Sequence, residues 1–205
     1  MNEGAIKKHL DKIGRVDISY NAMGIPVKQN VPLVDLTLDE YVNPITMTMQ
    51  TNFLTATAAA RIMSKQGSGV ILTLTATPGG IGYPYTAGFA AACVALENFT
   101  RNLASELGVY GVRVVNIRSG GSPDSRIFKE AIEKFPNEMK PVLDKMKEDT
   151  MLKDLPLMID IANTAVFLAS SMAGKITGVT IDVTAGTTAS LNYRVASPDS
   201  LRTLP

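Results

Sequence analysis

The sequence predicts an α/β fold in which one parallel sheet is layered between helices. Three observations carry this. Short β-rich runs alternate with helix-period stretches along the chain, in the order helix, strand, helix, strand, helix, strand, helices, strand. The run Val70-Ile71-Leu72-Thr73-Leu74-Thr75 carries no charge, as a strand buried on both faces requires. The segments between strands are long enough for helical crossovers, which predicts parallel pairing with right-handed connections.

The elements follow in order. Lys7 to Ile13 reads as a short helix, and Gly14 leads into a strand from Val16 to Tyr20 that ends at Asn21. A polar loop with Pro26, Asn30 and Pro32 comes next. Asn43 before Pro44 reads as a helix N-cap with proline at the first helical position. Behind it Met49, Phe53, Ala56, Ala60 and Met63 mark one helical face, and Gly67-Ser68-Gly69 stops the helix. After the strand at 70–75, Pro78-Gly79-Gly80 opens a loop to about Tyr85. Phe89, Ala92, Cys93, Leu96, Thr100 and Leu103 form the next helical stripe, ending near Gly108. Val112 to Ile117 is a third strand, followed by a Ser/Gly/Pro loop from Ser119 to Ser125. Residues 126 to about 150 are charged and helical in pattern, with breaks expected at Pro136 and Pro141. A helix from Leu157 to Ser170 places Ile161, Ala165 and Leu168 on one face, and Val179 to Val183 is the last strand. The length fits one domain, placed at residues 1–190, with a tail over 191–205 that is thin in apolar residues and expected to wrap a surface.

Composition removes several function classes. Twenty basic against 19 acidic side chains leave a net charge of +1, so no nucleic acid and no anionic membrane is expected as partner. A single Cys excludes a disulfide framework, and one Cys with one His, His9, gives no expectation of a metal site; His9 is placed on the surface. The polar start MNEGAIKKHLDK is no signal peptide, and no apolar run reaches the roughly 18 residues of a membrane span, so the expected location is cytoplasmic. In open α/β sheets ligands bind beyond the carboxyl ends of the strands. Those ends are Asn21–Gly24, Thr75–Pro78, Ser119–Ser125 and Thr184–Gly186.

Five stretches resemble the short-chain dehydrogenase/reductase family. VDISYNAMG is similar to its strand and Asn-Asn-Ala-Gly turn, and TNFLTATAAARIM to the helix that carries the family's catalytic Asn, here Asn52. GVILTLTA resembles the strand delivering the catalytic Ser. CVALENFTRNLASELGVYGVRVVNIRSGG resembles the following helix, strand and Pro-Gly loop, and DIANTAVFLASSMAGKITGVTIDVTAG the last helix and strand. The match covers about residues 5–187. It implies a Rossmann-like three-layer sheet, NAD(P) as cofactor, a small-molecule substrate of unknown identity, and a homo-oligomer, a dimer or tetramer, built on the helices at 44–65 and 86–107.

The departures are as informative. No Gly-rich nucleotide-binding turn occurs near residue 1, and the chain begins just before what would be the family's fourth strand. Two βαβ-sized units, roughly 60–80 residues, are expected to be missing, and with them most of the adenylate half-site. The family's Ser is followed 13 residues later by Tyr and four after that by Lys. Anchored on Thr100-Arg101, those three positions hold Ala76, Phe89 and Cys93. All spacings survive while all three functional groups are gone; of the four catalytic residues only Asn52 is kept. No Lys lies between Lys65 and Lys129, so no register restores a Tyr-x-x-x-Lys pair around Tyr83 or Tyr85.

The remaining candidates weigh structural against functional roles. Phe89 and Cys93, four apart on one helix face, are expected to pack as an apolar pair, and Cys93 has no cationic neighbour in sequence. Asn52 is expected to bond local backbone or water, and Asn21 to anchor its turn beside Gly24. In the loop that replaces the family's Pro-Gly-x-x-x-Thr, Gly120 is kept, Ser119 stands for Pro and Asp124 for Thr, and Ser122 and Ser125 offer hydroxyls to an amide. The resemblance thus implies cofactor contacts at Asn21, Gly24, Gly120 and Ser122. Three readings stand: a catalytically degenerate member kept as a binding or structural partner; a carbonyl reductase using Tyr85 as its acid; or a piece of a longer protein with its own nucleotide-binding half. The expectations are no dehydrogenase activity, NAD(P) binding that is weak or absent, and an exposed sheet edge at 16–21.

Overall fold

The computed structural model describes residues 3–24 and 27–190. The expected tail over 191–205 and the side chain of His9 lie outside what is described. Four strands form one sheet, all parallel, in the order β1 (Ile18–Asn21), β2 (Gly69–Ala76), β3 (Val112–Ser119) and β4 (Thr180–Val183). Among the described residues six α-helices accompany them: α1 (Glu3–Ile13), α2 (Leu38–Gln66), α3 (Gly88–Leu107), α4 (Arg126–Lys134), α5 (Pro136–Glu148) and α6 (Met158–Ala169).

The alternation along β2 and β3 divides the core in two. Ile71, Val112 and Val114 turn to the face under α2 and α3, where Ala56, Ala59, Ala60 and Met63 meet Leu103, Ala104 and Leu107. Val70, Leu72, Val115 and Ile117 turn to the other face, under Ile161, Ala165 and Leu168 of α6. This is the three-layer arrangement the sequence predicts. One expectation is corrected. The chain steps the same way across the sheet from β1 to β4, yet α6 lies on the face opposite α2 and α3. The β3–β4 crossover therefore has the opposite hand to the two before it, against the usual uniform hand. Both faces of the central strands are apolar, α2 and α3 fill one, and α6 packs the other.

Local chemistry shifts several boundaries. The long helix does not start at Asn43-Pro44. It starts at Leu38, where Thr37 accepts from the Glu40 N–H and the Glu40 carboxylate accepts from the Thr37 N–H, a reciprocal cap of two orphan donors. Pro44 lies inside the helix, where its missing N–H removes one bond. Pro141 likewise sits inside α5 and does not break it, while Pro136 opens α5 at its first position. Phe53 is not on the buried stripe of α2. It is 52% exposed and its ring tilts against Phe99 of α3 at 6.2 Å. The first strand is shorter than 16–20, because the Gln66 side chain takes both the N–H and the C=O of Val16.

Candidate functional site

The four strand ends come together on one side of the sheet. At β1, Asn21 donates from Nδ2 to Thr55 Oγ1 at 2.9 Å and accepts at Oδ1 from the Met23 N–H at 3.2 Å. Both ends of its amide hold the turn, as expected. Gly24 is exposed in that turn with open space around it. On α2, Asn52 is 5% exposed and donates to the Thr48 carbonyl at 3.0 Å, the local backbone bond expected of it. Its Oδ1 is buried without a hydrogen-bond partner.

Ala76, Phe89 and Cys93 lie on β2 and α3. Ala76 ends β2, and its backbone favours the ionised form of the Cys93 thiol on α3. Phe89 lies one turn earlier on α3 and is half-buried, so it does not share the full burial of Cys93, which is 3% exposed. Tyr85 stands on the loop beyond β2, 54% exposed, with a left-handed backbone (φ 60°) and a carbonyl that accepts from the Asn30 N–H at 2.9 Å.

The loop after β3 is bound to its surroundings. The Gly120 N–H donates to the Val183 carbonyl, and Ser122 is 5% exposed with its carbonyl accepting from the Ser125 N–H. The Asp124 carboxylate accepts from the Met158 N–H at 3.0 Å and so caps α6. The glycines of these loops lie against the chain's own side chains. A Cβ at Gly121 would stand 2.2 Å from Met146 Cε, and one at Gly120 2.9 Å from Pro156 Cγ.

Sequence reasoning missed the most connected polar group. Glu97, 9% exposed, receives two hydrogen bonds from Arg118, Nε at 2.9 Å and Nη2 at 2.6 Å, and one from Thr75 Oγ1 at 2.9 Å. Arg118 also donates from Nη1 to Asp182 at 2.9 Å, so one guanidinium ties α3, β3 and β4 together. Behind it the chain of bonds continues into the core. Asn116 Nδ2 donates to Thr75 Oγ1 at 2.7 Å, and Thr73 Oγ1 donates to Asn116 Oδ1 at 2.8 Å. The available signal was a charged residue at the end of an apolar strand, Arg118, and a Glu one residue from the buried stripe of α3. Among the described residues no cluster of His, Cys, Asp or Glu is placed to hold a metal ion, and no helix is long and apolar enough to cross a membrane.

The electrostatics of Cys93 follow from this setting. Burial pushes its thiol up to about 11 from the ordinary 9.0; the Ala76 backbone bond opposes that, Glu97 adds to it and Arg118 offsets it in part. The cation absent from its sequence neighbourhood is thus supplied by β3, but paired with Glu97. A neutral, buried thiol reacts slowly, so a colorimetric disulfide reagent at pH 8 is expected to leave Cys93 unlabelled in the native chain and to label it fully in denaturant. The linkage has a defined sign. The unfolded thiol ionises near 9 and the folded one near 11, so the folded state holds more protons between them. Stability from this group is complete below pH 9 and is lost as pH rises toward 11; Cys93→Ala should flatten that part of the pH–stability curve.

Comparison with known proteins adds an independent finding. A family model described as enoyl-(acyl carrier protein) reductase matches residues 2–188. The chain is 30% identical over 187 residues to an uncharacterized oxidoreductase of Thermotoga maritima, covering 91% of this chain and 73% of that one. It is 32% identical over 181 residues to a 3-oxoacyl-[acyl-carrier-protein] reductase of Staphylococcus epidermidis, covering 88% and 70%. The levodione reductase of Leifsonia aquatica is 28% identical over 188 residues, 91% of this chain and 70% of that one. A crystal structure of levodione reductase superposes with a TM-score of 0.82 at 25% identity, over 92% of this chain and 74% of that chain.

Proposed function

The chain belongs to the short-chain dehydrogenase/reductase family, and from that membership we propose that it is an oxidoreductase-like member without dehydrogenase activity of its own. The reading is supported by the register of the family pattern on this chain, which puts Ala76, Phe89 and Cys93 where the family has Ser, Tyr and Lys. Phe89 has no proton to give to a carbonyl oxygen. Cys93 brings no fixed positive charge, and the nearest cation, Arg118, is committed to Glu97 and Asp182. General-acid catalysis is worth roughly 10²–10⁴-fold, and it is absent from this set.

NAD(P) is the cofactor the family implies, and the residues at the strand ends do not fit its nicotinamide half. The ribose-holding Lys is replaced by a buried Cys. Gly79 lies so close to α3 that a Cβ there would stand 2.3 Å from Glu97 Oε1, and Gly121 and Gly186 are covered by Met146 and Met151. We therefore expect NAD(H) and NADP(H) to bind more weakly than about millimolar.

A second reading has one observation in its favour. Tyr85 presents a phenol more than half exposed on the loop beyond β2, and a carbonyl reductase could use it as its acid. Steady-state assays with NADH and NADPH on a panel of ketones and aldehydes separate the two. Background rates, unchanged in Tyr85→Phe, are the expected result; turnover that Tyr85→Phe abolishes would replace the first reading by the second.

The same family membership supports a dimer or tetramer through α2 and α3, whose outer face exposes Met47, Phe53 and Val94. Light scattering on a dilution series is expected to give a dimer or larger, and Phe53→Asp with Val94→Asp to give a monomer. A wild-type monomer at all concentrations would remove this expectation.

A further inference from the structure

The turn after β4 is fastened to the end of α5 through one methionine. The Ala185 carbonyl accepts from two N–H groups, Met151 at 2.9 Å and Leu152 at 3.2 Å. The Met151 side chain then folds over Gly186, where a Cβ would stand 2.7 Å from Met151 Cγ and 2.8 Å from its Sδ. Ser190 Oγ adds a bond to the Asp149 carbonyl at 2.7 Å. Ala185 is held in a left-handed backbone at φ 52°, a conformation that an alanine leaves when nothing holds it. Little else secures α4 and α5. Among the described residues neither helix carries a buried one. Their contact with the loop after β3 is the half-buried Met146, which with Phe128 lies against Gly121. Two thioethers and one ring thus pin this pair of helices at the strand ends. Met151 is nevertheless 55% exposed, within reach of a water-sized oxidant.

We propose that Met151 is an oxidation site for hydrogen peroxide, and that its sulfoxide releases the end of α5 from the turn after β4. A lone pair on Sδ attacks one peroxide oxygen, the O–O bond breaks, and the other oxygen leaves as water after proton transfer. Sulfur loses two electrons and the peroxide gains them. A thiol-dependent methionine sulfoxide reductase reverses the step: the oxygen leaves as water while two thiols become a disulfide. The consequence follows from the contact. A thioether packs on the bare backbone of a glycine, whereas a sulfoxide is polar and draws water to that place. Water there competes for the Ala185 carbonyl, and the turn that Met151 and Leu152 hold is free to relax. Exposure orders the events, with Met151 first and Met146 after α5 has lifted from Gly121. Exposure alone does not select Met151. Met172, on the turn after α6, is 81% exposed, but its N–H is bonded within its own turn, to Ser170 Oγ. Its oxidation is expected to change nothing at the strand ends. The site is independent of the catalytic reading: turnover assays decide that one, and amide exchange decides this one.

The test treats the 205-residue chain with hydrogen peroxide at neutral pH. Peptide mapping follows the gain of one oxygen at each methionine, and amide exchange reads the latch. The amides to watch are Leu152, bonded to Ala185, and Thr187 and Ala189, bonded within the turn after β4. Met172 and Met151 are expected to convert before Met146. With Met151 converted, exchange at the three amides should rise by about tenfold or more, while Leu72 and Val115 in the central strands keep their rates. Met151→Leu keeps the volume and cannot take an oxygen. It should hold the three amides at the untreated rate and slow the oxidation of Met146 by about fivefold or more. Met151→Gln, polar and of similar length, should give the fast exchange without peroxide. The proposal is overturned if Met151 converts and the three amides keep their rates, or if they accelerate equally in Met151→Leu. It is also overturned if Met146 oxidises equally fast with and without Met151. Loss of protection at Leu72 and Val115 together with the three amides would mean global unfolding in place of a local release, and would overturn it as well.

Discussion

Arg118→Ala is expected to lower the unfolding free energy by about 3–5 kcal/mol, the range for removing one partner of a buried ion pair. The side chains of Arg118 and Glu97 are 13% and 10% exposed, and Arg118 is the cation on both oxygens of that carboxylate. Without it Glu97 keeps Thr75 as a donor and loses its counter-charge in a place water scarcely reaches. The same change releases Asp182, but that carboxylate is 40% exposed and can be hydrated, so it adds little. Urea unfolding followed by circular dichroism measures the loss. The double variant Arg118→Met with Glu97→Leu removes both charges and is expected to recover most of it, because an apolar pair of similar volume leaves nothing unpaired. A loss below about 1 kcal/mol in the single variant would mean that water enters the site and screens Glu97.

Cys93→Lys, which puts a Lys where the proposed register places the family's, is expected to destabilise by more than about 3 kcal/mol and to restore no turnover. Three contributions add. The site is packed: Cys93 is 3% exposed, and a Cβ on Gly79 would already stand 3.0 Å from the Cys93 Cβ. Inserting several methylenes into such a place costs about 1–3 kcal/mol. The new ammonium would be buried near the Arg118 guanidinium, and the nearest carboxylate, Glu97, already holds two bonds from Arg118. An unpaired buried charge costs several kcal/mol more unless it is neutralised. Cys93→Ala, which removes only the sulfur, should stay within about 2 kcal/mol of the native chain. The contrast between the two, read in the same urea titration, separates a crowded and charged site from one that is merely apolar. A stable Cys93→Lys variant with measurable reduction of a ketone would show that the position still accepts the family's chemistry.

The two experiments address one arrangement. On the helix after the second strand this chain has a small buried thiol, and the space beside it holds an Arg from the next strand locked to a Glu one turn further along the helix. That arrangement spans three elements. In the loop after β3, Asp124 caps α6 through the Met158 N–H.

What the residues alone determined is what depends on short range. The uncharged runs at 70–75 and 112–117, separated by helix-period stretches, dictate central parallel strands, because a strand buried on both faces has no place for charge. The spacing of Ala76, Phe89 and Cys93 against Thr100 needed no coordinates, since it is a count along the chain. Asn21 as a turn anchor followed from an amide at a strand end. What only the tertiary structure decided depends on groups that are distant in sequence. The helix start at Thr37 was legible in principle, as Thr and Glu three residues apart, but Asn43-Pro44 offered an equally good local signal, and the packing of α2 chose the longer helix. The early end of the first strand required Gln66, fifty residues away, to occupy the Val16 backbone. The hand of the last crossover was set by which face of the sheet still needed cover once α2 and α3 were in place. Arg118 and Glu97, 21 residues apart, meet because β3 lies beside β2 and α3 packs over both; a charge in a strand says that it needs a partner, and only the fold says which.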